Sequence, residues 1–188
     1  MPPKIRVPKE MIIEKAVGIV KNKGMEGLNA RSLAKELNCS VQPIFRAFSS
    51  MEELKEAVFR KIAEYYSEYL RNAISLEDGL VGLEMAYIRF AREEKNFFRL
   101  LHMSERQGVN EMSEFTTVGI NKEIVDAMAA MTGLTQEKAT MLYLGAFYTA
   151  HGIASMLATN FYEFKDEEIQ EIMENVFDGL CMKLNQDN

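Results

Sequence analysis

The stretch NARSLAKELNCSVQPIFRAF, Asn29 to Phe48, decides how the rest of the chain is read. Leu33, Ala34 and Leu37 recur at i, i+1 and i+4, the apolar face of a short helix. Ile44, Phe45 and Phe48 give a second short helix its apolar side, and Ser40 is placed to cap it. Asn38 and Cys39 leave room for only a few turn residues in between. Two helices joined that tightly must cross steeply. That is the helix-turn-helix unit, whose second helix enters a DNA major groove.

Outward from this stretch the punctuation is helical throughout. Pro8 suits the first turn of a helix that buries Ile12, Ile13, Ala16, Val17 and Val20, and Lys23-Gly24 ends it. Asn29 caps the next helix. Ser50 and Glu53 form a capping box that opens a long helix to about Arg71. Ser75 and Asp78 offer caps for a helix through Tyr87 and Phe90. A short helix from Phe97 to Met103 is broken at Gln107-Gly108, and another from about Ser113 to Met131 stops at Thr132-Gly133. Thr135 caps a strongly apolar helix to about Thr159, and Asp166-Glu167-Glu168 stand at the positive end of the last one. No alternating strand, repeat or low-complexity tract interrupts this pattern. The expectation is an all-α chain of about nine helices. By this reading residues 1–50 carry the helix-turn-helix, and residues 51–188 are a helical remainder opening with the connecting helix 51–71.

Net charge is −6 over 188 residues, which taken whole argues against a nucleic-acid partner. Its distribution reverses that. Residues 1–50 carry nine Lys/Arg against four Glu, whereas residues 51–188 carry thirteen against twenty-four Asp/Glu. Asymmetry between parts is the informative quantity for phosphate binding, and the acidic part helps confine contact to the basic end. The two cysteines, Cys39 and Cys181, sit far apart in apolar helical patterns and read as buried thiols of a reducing compartment. No apolar run nears the roughly 20 residues that span a bilayer, and the N-terminus lacks a signal-peptide core. A soluble cytoplasmic protein is expected. There are two histidines, and no H-E-x-x-H, C-x-x-C, glycine-rich phosphate loop or nucleophile elbow. Carboxylate pairs such as Glu93-Glu94 read as solvated faces. The residues argue against an enzyme and call for neither metal nor cofactor.

With Gly24, Leu28, Asn29, Leu33-Ala34, Ser40, Ile44-Phe45, Phe48 and Glu52-Glu53-Leu54 in view, the chain resembles the TetR family of bacterial transcriptional regulators. The likeness is at motif level from Lys9 to about Val58 and looser beyond, with a second echo in the His151-Gly152 segment. It implies a three-helix DNA-binding domain over residues 1–50, an effector-binding and dimerisation domain over residues 51–188, and a homodimer on a palindromic double-stranded DNA operator, acting as a repressor that a small hydrophobic molecule releases. The alternative is a TetR-like DNA-binding protein whose C-terminal domain binds a protein partner or only dimerises, with no small-molecule effector.

Within the second helix of the motif, Val41, Gln42 and Pro43 form the first turn, where proline is tolerated because its missing N–H has no helical partner anyway. Gln42 could pair bidentately with adenine, and Val41 or Pro43 could touch a thymine methyl. Arg31, Lys35 and Arg46 are candidates for phosphate or guanine contacts, and Ser32, Ser40 and Ser49 for weaker ones. Phe45 stands where the family often has tyrosine, and Met51 where it often has lysine. Each departure removes a phosphate contact, and Lys55 is a substitute one turn on. Lys4, Arg6 and Lys9 form a basic arm that could reach a minor groove or serve as a solubilising tail.

Tyr87, Phe90, Phe97, Phe98, Met103, Phe115, Met128, Met131, Tyr143 and Phe147 are spread over helices that would surround a central cavity in the resembled fold. Of these, Tyr87, Phe90, Phe98, Phe115, Tyr143 and Phe147 are the ligand candidates. Aromatics and methionines at helical spacing are also what an ordinary core looks like. His102 and Arg92 are polar candidates for orienting a ligand. His151, beside Gly152 and Ala154, reads as part of a helix-packing or dimer seam. The last helix carries the stripe Ile169, Ile172, Met173, Val176, Phe177 and Leu180. Its Ile169, Met173, Phe177 and Leu180, with His151 and Gly152, are the expected dimer interface.

Overall fold

The computed structural model of the chain describes residues 7–74, 79–104, 116–117 and 119–186. Among these the regular structure is entirely helical. The α-helices are α1 (Lys9–Lys23), α2 (Ala30–Glu36), α3 (Gln42–Ala47), α4 (Met51–Ile74), α5 (Gly79–Glu93), α6 (Lys95–His102), α7 (Gly119–Thr132), α8 (Gln136–Ala158) and α9 (Asp166–Gln186), with one 3₁₀ turn at Met25–Gly27. The all-α class read from the sequence is the class found. The expected caps at Ser75 and Asp78, the break at Gln107-Gly108, the helix start at Ser113, and Lys4 and Arg6 lie outside the described residues.

The chain forms two compact units. One is Met1–Tyr66 with Glu94–Ser104, the other Ser67–Glu93 with Glu105–Asn188. In the first unit α1 packs on α2 and α6. Its fully buried face is Ile12, Ala16, Ile19 and Val20, whereas Ile13 and Val17 are only half-buried, so the helix is turned slightly from the expected stripe. Pro8 is the residue just before the helix, in extended backbone, and not part of its first turn. Asn29 caps α2 as expected: its Oδ1 accepts the N–H groups of Arg31 and Ser32, and Ser32 Oγ accepts the Asn29 N–H in return.

The turn after α2 is made by one residue. Asn38 adopts the left-handed conformation, φ 49°, which asparagine tolerates better than most side chains. Its N–H then reaches Lys35 O at 3.2 Å and the Cys39 N–H reaches Ala34 O at 3.0 Å. These are the paired bonds of a Schellman termination, closing α2's last carbonyls in one step. At the far end of α8, Asn160 (φ 55°) repeats the device, with Asn160 N–H on Leu157 O and Phe161 N–H on Met156 O.

The corner between α3 and α4 departs from the expected capping box. Ser50 Oγ accepts the Glu53 N–H at 3.1 Å, but the Glu53 carboxylate turns to Ser49 instead, accepting its N–H at 2.7 Å and its hydroxyl at 2.6 Å. Lys9 lies 3.5 Å from the same carboxylate and 4.4 Å above the Phe48 ring. The Ser49 hydroxyl and N–H, with Lys9, hold the Glu53 carboxyl below its ordinary range.

In the second unit α8 packs against α5, α7 and α9. Thr135 caps it, accepting the Lys138 N–H. By length and composition alone α8 is apolar enough to cross a membrane, which corrects the expectation that no run approaches that length. In this fold it is a core helix: Ala139, Leu142, Ala146, Ala150 and Ala154 are fully buried. Two ion-paired arginines fix the ends of neighbouring elements. Arg71 forks onto both oxygens of Glu123 at 2.9 Å, tying the end of α4 to α7. Arg92 holds Asp166 and the Phe164 carbonyl, so it fastens the α8–α9 connection and is committed to structure.

Candidate functional site

The basic unit presents α3 on its surface. Ile44 and Phe48 are buried and Pro43 half-buried, while Val41, Gln42, Phe45 and Arg46 are exposed. Phe45 keeps 48% of its surface and Val41 37%. Arg31, Lys35 and Ser40 are exposed as well, and Lys55 half-buried. Ser40 does not cap α3. The helix starts at Gln42, Val41 is the residue before it, and no side chain satisfies its first N–H groups; Pro43 removes the need at one of them. Ser32 and Ser49 are engaged in the local caps already described, so their hydroxyls are partly committed to the backbone.

The second unit gathers part of the expected ligand set. Tyr87 Oη is 2.8 Å from His151 Nδ1, and Tyr143 Oη donates to Asn121 Oδ1 at 2.9 Å. Phe147 bridges them, its ring 5.5 Å from that of Tyr87, 5.7 Å from that of Tyr143, and stacked on His151 at 5.6 Å. Phe90 packs edge-on against Tyr69. Phe98 and His102 belong to the first unit, where both His102 with Tyr66 and His102 with Phe98 approach at 4.9 Å between centroids. Phe115 lies outside the described residues.

Sequence reasoning missed Glu84. It is only 2% exposed, in the core of the second unit, and among the described residues its Oε1 has no hydrogen-bond partner. Burial pushes its carboxyl up to about 8. The same burial, with Glu84 close by, raises both Tyr87 and Tyr143 above the ordinary phenol range. Burial also lowers the His151 imidazole below its usual value, favouring the neutral ring. A signal existed: Glu84 is the one charged residue between Gly79 and Ile88.

A separate cavity of about 520 Å³ lies between the end of α4, α5 and α9, walled by Tyr69, Asn72, Met85, Arg89, Gln170 and Glu174. None of the expected ligand residues lines it.

The expected dimer stripe needs correction. Ile169 and Met173 are 0% exposed and Phe177 is buried, all within the chain's own core, so they offer no surface to a second copy. Leu180 is half-buried and lies over Gly145, where a Cβ would meet its Cδ1 at 2.6 Å. Gly152 is half-exposed with open space beside it. The apolar side chains that α8 and α9 leave exposed are instead Met141, Tyr148, Met156, Ile172 and Met182.

Comparison with known proteins agrees with this architecture. A family model described as a tetracyclin repressor-like C-terminal domain matches residues 80–180, more than half of the chain. The chain therefore belongs to the TetR-like family of transcriptional regulators. Among solved structures it is similar to a protein of unknown function from Rhodococcus sp. RHA1 (20% identity, TM-score 0.71, covering 96% of this chain and 100% of that one). It is similar also to a candidate transcriptional regulator from Pseudomonas aeruginosa PAO1 (16%, 0.63, 93% and 90%). A third is a candidate fatty acid metabolism regulator from Clostridium perfringens (19%, 0.55, 89% and 97%). At these identities the likeness is one of fold. No curated protein sequence matches the chain.

Proposed function

We propose that the protein is a repressor that binds a palindromic operator as a homodimer and leaves it when a small hydrophobic molecule occupies the second unit. In this reading residues 1–50 read DNA, and residues 51–188 sense and dimerise. The observation that carries it is the outward side of α3: Val41, Gln42, Phe45 and Arg46 are exposed together on a basic segment while Ile44 and Phe48 anchor the helix from beneath. Gln42 and Arg46 have the chemistry to read base edges or grip phosphate, and the two apolar neighbours suit thymine methyls. Exposed Met141, Tyr148 and Met182 on the last two helices supply a face for the second copy, and two copies set recognition helices roughly 34 Å apart, one DNA turn. An effector then acts by preferring a dimer with the wrong spacing.

Tyr87, Phe90 and Tyr143 are almost fully buried, which favours a second reading: a closed body that only dimerises or takes a protein partner. Selection of bound duplexes from a random pool tests the DNA reading. A recovered palindrome is expected; no enrichment over the pool would overturn it.

A further inference from the structure

The cavity between the end of α4, α5 and α9 owes its space to small side chains. Ala73 and Ala86 are buried in its wall and too short to fill it, leaving about 520 Å³, within the range of small-molecule sites. Gly82, Met85, Ala86 and Arg89 all line it, and their i, i+3, i+4, i+7 spacing makes them one face of α5. From α4, Tyr69 brings a ring held edge-on to Phe90, 5.3 Å between centroids. We infer that this cavity binds an amphipathic anion, a carboxylate carried on a flat apolar body, and that Arg89 receives its charge. This rests on the small-molecule reading above, and gives that reading a site and a ligand class.

Arg89 is the uncommitted arginine of the second unit. Arg71 holds Glu123 and Arg92 holds Asp166, whereas Arg89 makes no ion pair or hydrogen bond with a described residue. Its guanidinium offers a planar fork of N–H donors that fits the two oxygens of a carboxylate. The other charge on the wall is Glu174, which does not pair with Arg89. Instead Gln170, one turn earlier on α9, donates Nε2 to Glu174 Oε1 at 2.8 Å. The acid therefore has a partner on its own helix, and the guanidinium has none.

This imbalance selects among ligands. A cation in the cavity would leave Arg89 unanswered and add repulsion, and a neutral molecule would gain only the apolar walls. An anion gains the walls and the guanidinium together. Arg89 is exposed, so water and salt weaken that pair. Contact area must come from the half-buried Tyr69, Val81 and Met85, which is why the anion needs an apolar body.

The test titrates the full-length protein with two dyes that share one apolar body, neutral N-phenyl-1-naphthylamine and the anion 1-anilinonaphthalene-8-sulfonate, whose sulfonate stands in for the carboxylate. Arg89→Gln is expected to weaken the anion about tenfold and to leave the neutral dye within about twofold. Met85→Trp, which fills the cavity, is expected to weaken both. On the wild type, added salt is expected to weaken the anion and not the neutral dye. Equal affinity of the anion for wild type and Arg89→Gln, or anion binding indifferent to salt, overturns the anion site. If both dyes bind but ignore Met85→Trp, they bind elsewhere, which overturns the cavity assignment and leaves the small-molecule reading standing. If neither dye binds the wild type, both fall together. The salt series is read on the wild type, so the test survives a variant that fails to fold.

Discussion

Tyr87 Oη lies 2.8 Å from Nδ1 of His151, joining α5 to α8 through a residue expected in a pocket and one expected at a subunit seam. With the ring neutral, one of the two groups donates and the other accepts, so the bond is coupled to the imidazole tautomer. Tyr87→Phe should therefore cost about 1 kcal/mol of stability, and a double-mutant cycle with His151→Ala should return a coupling energy of similar size. Because burial lowers the His151 pKa, its contribution is present above the unfolded value near 6.5 and is lost as pH falls below it. Thermal denaturation between pH 5 and 8, on the wild type and His151→Ala, checks both points.

Glu84 has the opposite dependence. Its folded pKa, near 8, lies above the ordinary 4.5, so between these values the unfolded chain gives up a proton that the folded chain keeps. Stability from this group is fully present below pH 4.5 and declines as pH rises towards 8. Glu84→Gln should remove that decline, gaining on the wild type by about 4 kcal/mol from one end of the window to the other. Parallel denaturation curves for the two proteins would show the assignment to be wrong.

Arg46 and Phe45 separate charge from shape on the recognition helix. Arg46→Ala should weaken operator binding, and should lower the slope of log affinity against log salt by about 1 if the contact is to phosphate. Phe45→Tyr restores the hydroxyl that related regulators often carry there, and should tighten binding about threefold to tenfold. Both side chains are exposed, so melting temperatures should stay within a degree or two of wild type, or about 0.5 kcal/mol. Electrophoretic mobility shifts at several salt concentrations measure these effects.

Asn38 carries the α2–α3 turn in a left-handed conformation. Asn38→Ala should destabilise the protein by about 1 kcal/mol, and Asn38→Gly should be neutral or stabilising. If both substitutions proved equal in chemical denaturation, the turn would owe nothing to that conformation.

The last two helices allow core and interface to be told apart. Met173→Ala should lower stability by about 2–5 kcal/mol through a cavity, leaving the association of folded protein unchanged. Tyr148→Lys, on the exposed side of α8, should leave the fold intact and shift sedimentation towards monomer. The reverse pattern would place the dimer face on the stripe that is buried here.

Most element boundaries were legible because they are local: Asn29, Gly24, Gly133 and Thr135 act on the backbone within four residues of themselves. What stayed hidden depends on neighbours distant in sequence. The stripe Ile169–Met173–Phe177 announces a buried face but not what buries it, and α5 with α8 takes that place before any second copy can. Glu53 looks like half of a reciprocal box until Ser49, one residue earlier, competes for it with two donors. Glu84 is one acid in an apolar helix, and only the packing around it shows that water does not reach it. Whether Tyr87 belonged to a pocket or a core could not be read from spacing, since both place aromatics on the same helical face.

The division of labour within α3 bears on how such a protein changes its target. Ile44 and Phe48 hold the helix down, whereas the side chains of Val41, Gln42 and Phe45 are exposed. If α3 reads DNA as proposed, operator preference can drift at those three positions at little cost to folding. A library randomised there should be populated largely by folded proteins with new sequence tastes, and regulators of this kind can diverge in target long before they diverge in form.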